Sequence, residues 1–133
     1  MSCHRKGKTV INILIVDDSS IIRKIFSEHI QKMGYKVVGV AKDGREAIKM
    51  YEELKPDLVT MDVTMPIMNG IDSLKAIKSK FNDAKVIMVT SHGEERLVMD
   101  AISNGAKGYV LKPITPESIQ QAIQKVFPEL DKQ

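Results

Sequence analysis

The chain has 133 residues, 43% of them hydrophobic and 28% charged, and a formal net charge of +3. That length suits one domain, long enough to bury about two-thirds of its unfolded surface. The thin spread of charge, with no basic stripe, argues against direct nucleic-acid contact. Cys3 is the only cysteine, so neither an internal disulfide nor a multi-cysteine zinc site is available. The opening MSCHRKGK carries Arg5, Lys6 and Lys8 and lacks the apolar core of a signal peptide. No apolar run approaches membrane-spanning length. A cytoplasmic protein without membrane insertion is expected, with residues 1–9 as a flexible tail and 10–133 as a single domain.

Apolar and amphipathic runs then alternate along the chain. Val10–Val16 (VINILIV) is short, continuous and β-branched, which predicts a strand covered on both faces. Beyond Asp17-Asp18-Ser19-Ser20, residues Ile21–Met33 set Ile22, Ile25, Phe26 and Met33 on one helical face, and Gly34 stops the helix. Val37–Ala41 forms the second strand. Asp43-Gly44 opens a helix with Ala47, Ile48, Tyr51 and Leu54 facing inward, which Pro56 ends. Leu58–Met61 is the third strand, and Ile71, Leu74, Ile77 and Phe81 define the third helix. Lys85–Val89 is the fourth strand, and Leu97, Val98, Ala101 and Ile102 mark the helix that Asn104-Gly105 terminates. Gly108–Leu111 makes the fifth strand, followed by a helix carrying Ile119, Ala122, Ile123 and Val126. Most of the methionines fall in apolar runs and read as core filler.

Five βα units joined by right-handed crossovers give an α/β fold, (βα)5, with one five-stranded parallel sheet covered by helices on both faces. Five strands are too few for a closed barrel. All strands point the same way, so all C-terminal ends open on one edge, where open α/β sheets bind ligands.

Few residues on that edge carry chemistry. The first strand ends in Asp17 and Asp18, the third in Asp62, the fourth in Thr90 and Ser91, the fifth in Lys112. Singly, each has a plainer role: Asp18 or Ser20 as the cap of the first helix, Thr90 bonded to backbone, Lys112 reaching solvent. Jointly, three carboxylates in one crevice repel each other, and one lysine cannot offset three charges. A bound cation is therefore expected. Hard oxygen donors without histidine or cysteine select Mg2+, with Mn2+ admitted by the same donors. Mg2+ completes its shell with phosphate oxygen, which implies a phosphoryl group at this edge. The first βα turn, VDDSSI, lacks the glycines of a nucleotide-binding loop, and no P-loop motif occurs. What remains is phosphoryl transfer onto a side chain. Asp62, central between the first and fourth strands, is the candidate nucleophile, with Lys112 and Thr90 holding phosphoryl oxygens.

The stretches LIVDDS (14–19), TMDVTMPIMNG (60–70), IMVTS (87–91) and GYVLKP (108–113) together resemble the response-regulator receiver domain, of the single-domain chemotaxis type. The resemblance covers roughly residues 10–127 and implies the flavodoxin-like strand order 2-1-3-4-5, which is carried over rather than derived. It implies that Asp62 is phosphorylated by a histidine kinase in a two-component system. Asp17 and Asp18 would organise Mg2+, with Asp18 and Asp62 coordinating directly, Asp17 largely through water, and the Thr64 backbone carbonyl as a further ligand. Lys112 would pair with the phosphoryl group, and Lys112-Pro113 would be a cis peptide. Thr90 and Tyr109 are similar to the family's switch pair. The output surface would lie on the fourth helix, fifth strand and fifth helix, exposing Arg96, Met99, Asp100, Ser103, Lys107, Gln121, Gln124 and Lys125. Implied partners are a chemotaxis-type kinase, a phosphorylation-dependent target such as the flagellar motor switch, and a phosphatase. Such a protein is not an enzyme on a separate substrate, although it catalyses its own phosphorylation and dephosphorylation.

Ile114 after Lys112-Pro113, Val63 after Asp62, and Thr64 and His92 beside the pocket vary within or depart from the family pattern. Three rival readings stand beside this one. An aspartyl-nucleophile phosphatase needs a second Asp two residues after the nucleophile, where Thr64 stands. A receiver fragment of a larger output protein, such as a transcription factor, needs a further domain, and the sequence ends at Gln133. A phosphorelay intermediate would carry the same motifs.

Overall fold

The computed structural model describes residues 10–129. The expectations for Cys3 and the 1–9 tail lie outside those residues. The chain alternates strictly: β1 (Asn12–Val16), α1 (Ser20–Lys32), β2 (Lys36–Ala41), α2 (Gly44–Leu54), β3 (Leu58–Asp62), α3 (Gly70–Lys80), β4 (Val86–Thr90), α4 (Glu95–Ser103), β5 (Gly108–Leu111) and α5 (Pro116–Val126). The strands form one parallel sheet in the order β2-β1-β3-β4-β5.

The period-two alternation of the strands divides the core in two. Ile13 and Ile15 of β1 join Ile87 and Val89 of β4 on one face, against Phe26 and Ile30 of α1 and Ile119 and Ile123 of α5. Leu14 and Val16, with Met61 and Met88, meet Ala47 and Tyr51 of α2, Leu74 and Ile77 of α3 and Ala101 of α4 on the other. β3 and β4 are buried at every residue, as their continuous apolar runs predict. Each fully buried Leu or Ile stabilises the fold by roughly 1.5–3 kcal/mol.

The edges of the pattern are less regular. Val10 is exposed and β1 begins at Asn12, whose N–H donates to the Asp57 carboxylate while Asp57 N–H donates to the Asn12 carbonyl, both at 2.8 Å. On α1, Phe26 and Met33 pack on the core face as expected, joined by Ile30, while Ile25 turns outward. Leu54, Leu97 and Ile102, expected inside, are exposed because α2 and α4 each bury a narrower stripe centred on Ala47 and Tyr51, or Val98 and Ala101. The cap of α1 is Ser19, which accepts the Ile22 N–H at 3.2 Å, rather than Asp18 or Ser20. Both carboxylates at the end of β1 are thereby left for other work.

Backbone bonds extend the ladders just past the strands and anchor the edge residues. Asp17 N–H donates to the Ala41 carbonyl at 3.0 Å, Val63 N–H to Val89 at 3.0 Å and Lys112 N–H to Thr90 at 2.7 Å. After Asp62 the chain turns sharply: Met68 N–H bonds the Pro66 carbonyl at 2.7 Å around Ile67, whose φ is +68°. A γ-turn at positive φ is strained for a β-branched residue. Two contacts over-determine it. Asn69 caps α3 by accepting the Asp72 N–H at 2.9 Å, and Gly70 N–H donates to the Val63 carbonyl at 2.8 Å. Gly70 is packed so tightly that a Cβ there would run into the backbone carbonyl of Asp62. Gly70→Ala is therefore expected to destabilise the domain by about 1–3 kcal/mol, the range of overpacking in a tight core. Urea unfolding measures this, and a variant as stable as wild type would show that the turn after Asp62 yields freely.

Candidate functional site

The C-terminal edge of the sheet gathers its polar residues between the most buried strands. Asp17 is 2% exposed, Asp62 5% and Thr90 2%, whereas Asp18 is exposed. One oxygen from each of Asp17, Asp18 and Asp62 lies within 4.8 Å of the others. Lys112 reaches inward from the end of β5, its Nζ 3.4 Å from Asp17 Oδ2 and 3.4 Å from Asp62 Oδ1. Its side chain is half-buried, with the ammonium turned to the carboxylates. Asp17 is fixed further by accepting the Ser19 N–H on Oδ1 at 2.9 Å, and its carbonyl accepts Arg23 Nη1 at 2.7 Å.

The electrostatics follow from this crowding. Burial pushes the Asp62 carboxyl up, Asp17 and Asp18 push the same way, and Lys112 opposes them, leaving it at about 7. Burial by itself would lower the Lys112 ammonium, but attraction to Asp62 and Asp17 outweighs it and raises the pKa. Among the described residues, neither the Asp18 carboxylate nor Asp62 Oδ2 has a hydrogen-bond or ion-pair partner. Unpaired carboxylate oxygens this close together fit a hard divalent cation. Oxygens on opposite sides of an octahedral Mg2+ are about 4.2 Å apart, and intervening waters widen that span.

The remaining predicted residues fall at the rim or beyond it. Thr64 is exposed on the loop after β3, and His92 is exposed on the loop after β4. Tyr109 points outward from β5, 56% exposed. Lys112-Pro113 is cis. On α4, Arg96, Met99, Asp100 and Ser103 are exposed, as are Lys107 ahead of β5 and Gln121 and Lys125 on α5; Gln124 is half-buried. Leu97, Ile102 and Leu111 add apolar surface that the sequence pattern does not assign there.

Sequence reasoning also passes over Glu94. Its carboxylate accepts the Thr90 hydroxyl on Oε1 at 2.8 Å, the Ser91 N–H on Oε1 at 2.7 Å and the Thr64 hydroxyl on Oε2 at 2.7 Å. Burial acts to raise its pKa, but these three donors and the Lys112 charge overcome that and bring it below the ordinary glutamate value. The only sequence signal is an acid just ahead of a helix, which ordinarily reads as a favourable dipole contact.

Residues 13–124 match the family described as the response regulator receiver domain. The chain belongs to that family. It is similar to the chemotaxis protein CheY of Thermotoga maritima, 46% identical over 114 residues, 86% of this chain and 95% of that one. CheY of Bacillus subtilis is 43% identical over 115 residues, 86% of this chain and 96% of its own. Among solved structures, the CheX–CheY complex with BeF3 and Mg2+ from Borrelia burgdorferi matches with a TM-score of 0.85 at 37% identity, covering 88% of this chain and 89% of that one. CheY is itself a standard example of the 2-1-3-4-5 order, so that agreement comes with the family. Receiver domains bind Mg2+, and the acidic cluster of this receiver offers the donors for it.

The raised Asp62 carboxyl makes stability depend on pH. Unfolded, Asp62 loses its proton near 3.8; folded and metal-free, it keeps it to about 7. Between those values the unfolded state binds fewer protons, so this group lowers stability as pH rises from about 4 to about 7. Screening by solvent at the open mouth reduces the effect to roughly 1–3 kcal/mol. Metal-free Asp62→Asn is accordingly expected to be more stable than wild type by that amount at pH 8, and to differ little near pH 4. Urea unfolding at both pH values in EDTA checks this, and equal gains at both would refute the electrostatic origin.

Proposed function

We propose that this receiver is a response regulator phosphorylated on Asp62 by a histidine kinase, and that residues 10–133 act as one domain. A buried Asp62 carboxylate 3.4 Å from Lys112, with Asp17 and Asp18 gathered beside it, is the observation that carries this reading. Asp17, Asp18 and Asp62 would hold Mg2+, with the Thr64 carbonyl as a further ligand. Held there, the ion would offset negative charge, so that Asp62 would stand as the ionised, nucleophilic carboxylate. An Asp62 oxygen then attacks the phosphorus of a phosphohistidine; the P–N bond breaks, its electron pair stays on the imidazole, and an acyl phosphate results.

Lys112 is already positioned between Asp17 and Asp62, so it needs only a short shift to pair with a phosphoryl oxygen. Thr90 would donate its hydroxyl to another oxygen, and Tyr109 would turn inward from its exposed position into the space vacated. Two charge-assisted hydrogen bonds contribute roughly 3–6 kcal/mol, against the ~5.5 kcal/mol needed to invert a 1:99 equilibrium. The upper end of that range reaches the requirement, and target binding would supply any shortfall in shifting the face formed by α4, β5 and α5, where Arg96, Met99, Asp100, Ser103, Lys107, Gln121, Gln124 and Lys125 would meet a target. The CheY relatives support a chemotaxis role, with the flagellar motor switch as target, a chemotaxis-type kinase as donor and a phosphatase as terminator.

The chain incubated with acetyl phosphate and Mg2+ is expected to gain one phosphoryl group by intact mass, removable by hydroxylamine. Asp62→Asn and, separately, excess EDTA are expected to abolish the adduct. An adduct that persists in Asp62→Asn would move the acceptor elsewhere.

A further inference from the structure

Glu94 occupies the N-cap position of α4 yet makes no side-chain hydrogen bond to that helix. Its carboxylate turns back toward the sheet edge and accepts from Thr90, Ser91 and Thr64 instead. Thr64 lies two residues beyond β3, and Thr90 ends β4. One half-buried carboxylate therefore ties together the two loops that flank Asp62, and ties both to the start of α4.

The proton count makes this arrangement consequential. A threonine hydroxyl has one proton to donate, and that of Thr90 is directed to Glu94 at 2.8 Å, with only a long 3.4 Å approach to the Ser91 carbonyl as an alternative. A phosphoryl group on Asp62 would bring oxygens that only accept. Glu94 and the phosphoryl group thus compete for the same proton.

We propose that Glu94 is a positioning residue for phosphoryl transfer: it clamps the Thr64 and Thr90 hydroxyls in the unphosphorylated chain, and loss of Thr90 to the phosphoryl group releases the start of α4. This rests on the reading of Asp62 as phosphoacceptor. Glu94 touches none of the reacting atoms; it acts through Thr90. Its charge and its acceptor geometry are separable, because glutamine keeps an acceptor oxygen and loses the charge.

The test compares wild type, Glu94→Gln, Glu94→Ala, Thr90→Val and the Glu94→Ala/Thr90→Val double variant, each checked for folding by its thermal midpoint. Two readouts are taken: the rate of acetyl phosphate labelling by acid quench and intact mass, and the amide shifts of residues 95–103 by NMR. Glu94→Ala is expected to label about three- to tenfold faster, a fraction of the roughly 10- to 150-fold that one whole charge-assisted hydrogen bond is worth, since the bond from Thr90 to the phosphoryl group is only part-formed in the transition state. Its α4 amides should move, before any phosphorylation, toward the positions of phosphorylated wild type. Glu94→Gln should fall between wild type and Glu94→Ala, and Glu94→Ala should add no acceleration in the Thr90→Val background. Equal acceleration by Glu94→Gln and Glu94→Ala, with the alanine effect persisting in the double variant, would assign the effect to charge alone and overturn the clamp. Unchanged labelling and unchanged α4 shifts in Glu94→Ala would overturn it too. A wild type that takes no phosphoryl group would defeat the reading of Asp62 itself, and the clamp with it.

Discussion

Asp17, Asp18 and Asp62 are held within 4.8 Å of one another with one ammonium between two of them, and that unbalanced charge is the constraint on which the site depends. Two of the three are almost wholly buried, so water relieves the repulsion only in part, from the open mouth at Asp18. A free chain would not gather such groups, because like charges at this distance each lose solvation and repel. The sheet imposes the arrangement. β1, β3 and β4 are committed to the core on both faces, and hydrophobic burial along them outweighs the local electrostatic cost at their ends. The cost stays available as a driving force for binding anything that lowers the charge density. A cation does so, and so does Lys112 in part.

The same sheet separates a rigid half of the site from a responsive one. Asp17, Val63 and Lys112 are pinned by backbone bonds to neighbouring strands, and Gly70 packs against the Asp62 carbonyl with no room for a methyl group. The acceptor carboxylate is thus delivered by elements with little freedom. Thr64, Thr90 and Glu94 differ, because they are linked by side-chain hydrogen bonds that can be exchanged one for another. Exchange among hydroxyls and carboxylates involves small energy differences, whereas moving β3 would disrupt packing on both faces. Rigid placement of the nucleophile and exchangeable bonds beside it are what a switch requires.

Much of this is legible in the sequence, for physical reasons that differ from one segment to the next. LVTM and KVIMV read as buried strands because both faces of a central parallel strand are covered, and the carboxylate and hydroxyl just after them, which the strands in fact include, stand out against apolar runs. Helix faces are less legible. Ile25, Leu54, Leu97 and Ile102 fit a helical period but lie on the flank of their stripes, where a few degrees of rotation decide exposure. The α1 cap reads as Asp18 or Ser20 and is in fact Ser19, since all three residues are of types that cap well and only the strand's end point selects among them. Glu94 is invisible for a different reason. Its importance comes from a side chain turning away from the helix it begins, and no periodicity encodes that.

Coupling between the acidic edge and a surface on α4 needs an element with two arrangements that both places can bias. The start of α4 meets that description better than its body. Ala101 packs in the core and Val98 is buried beside it on the same face, while the first turn has no side-chain cap and the N-cap residue is engaged with Thr64, Thr90 and Ser91. An uncapped first turn leaves backbone N–H groups without an intrahelical partner, so a freed Glu94 carboxylate has somewhere favourable to go. One arrangement satisfies the threonine hydroxyls and leaves the helix end open. The other would satisfy the helix end and leave the Thr90 hydroxyl to a phosphoryl oxygen. Each satisfies one set of donors at the expense of the other, which is why the two can lie close in energy, and why a single proton shared out differently is enough to choose between them.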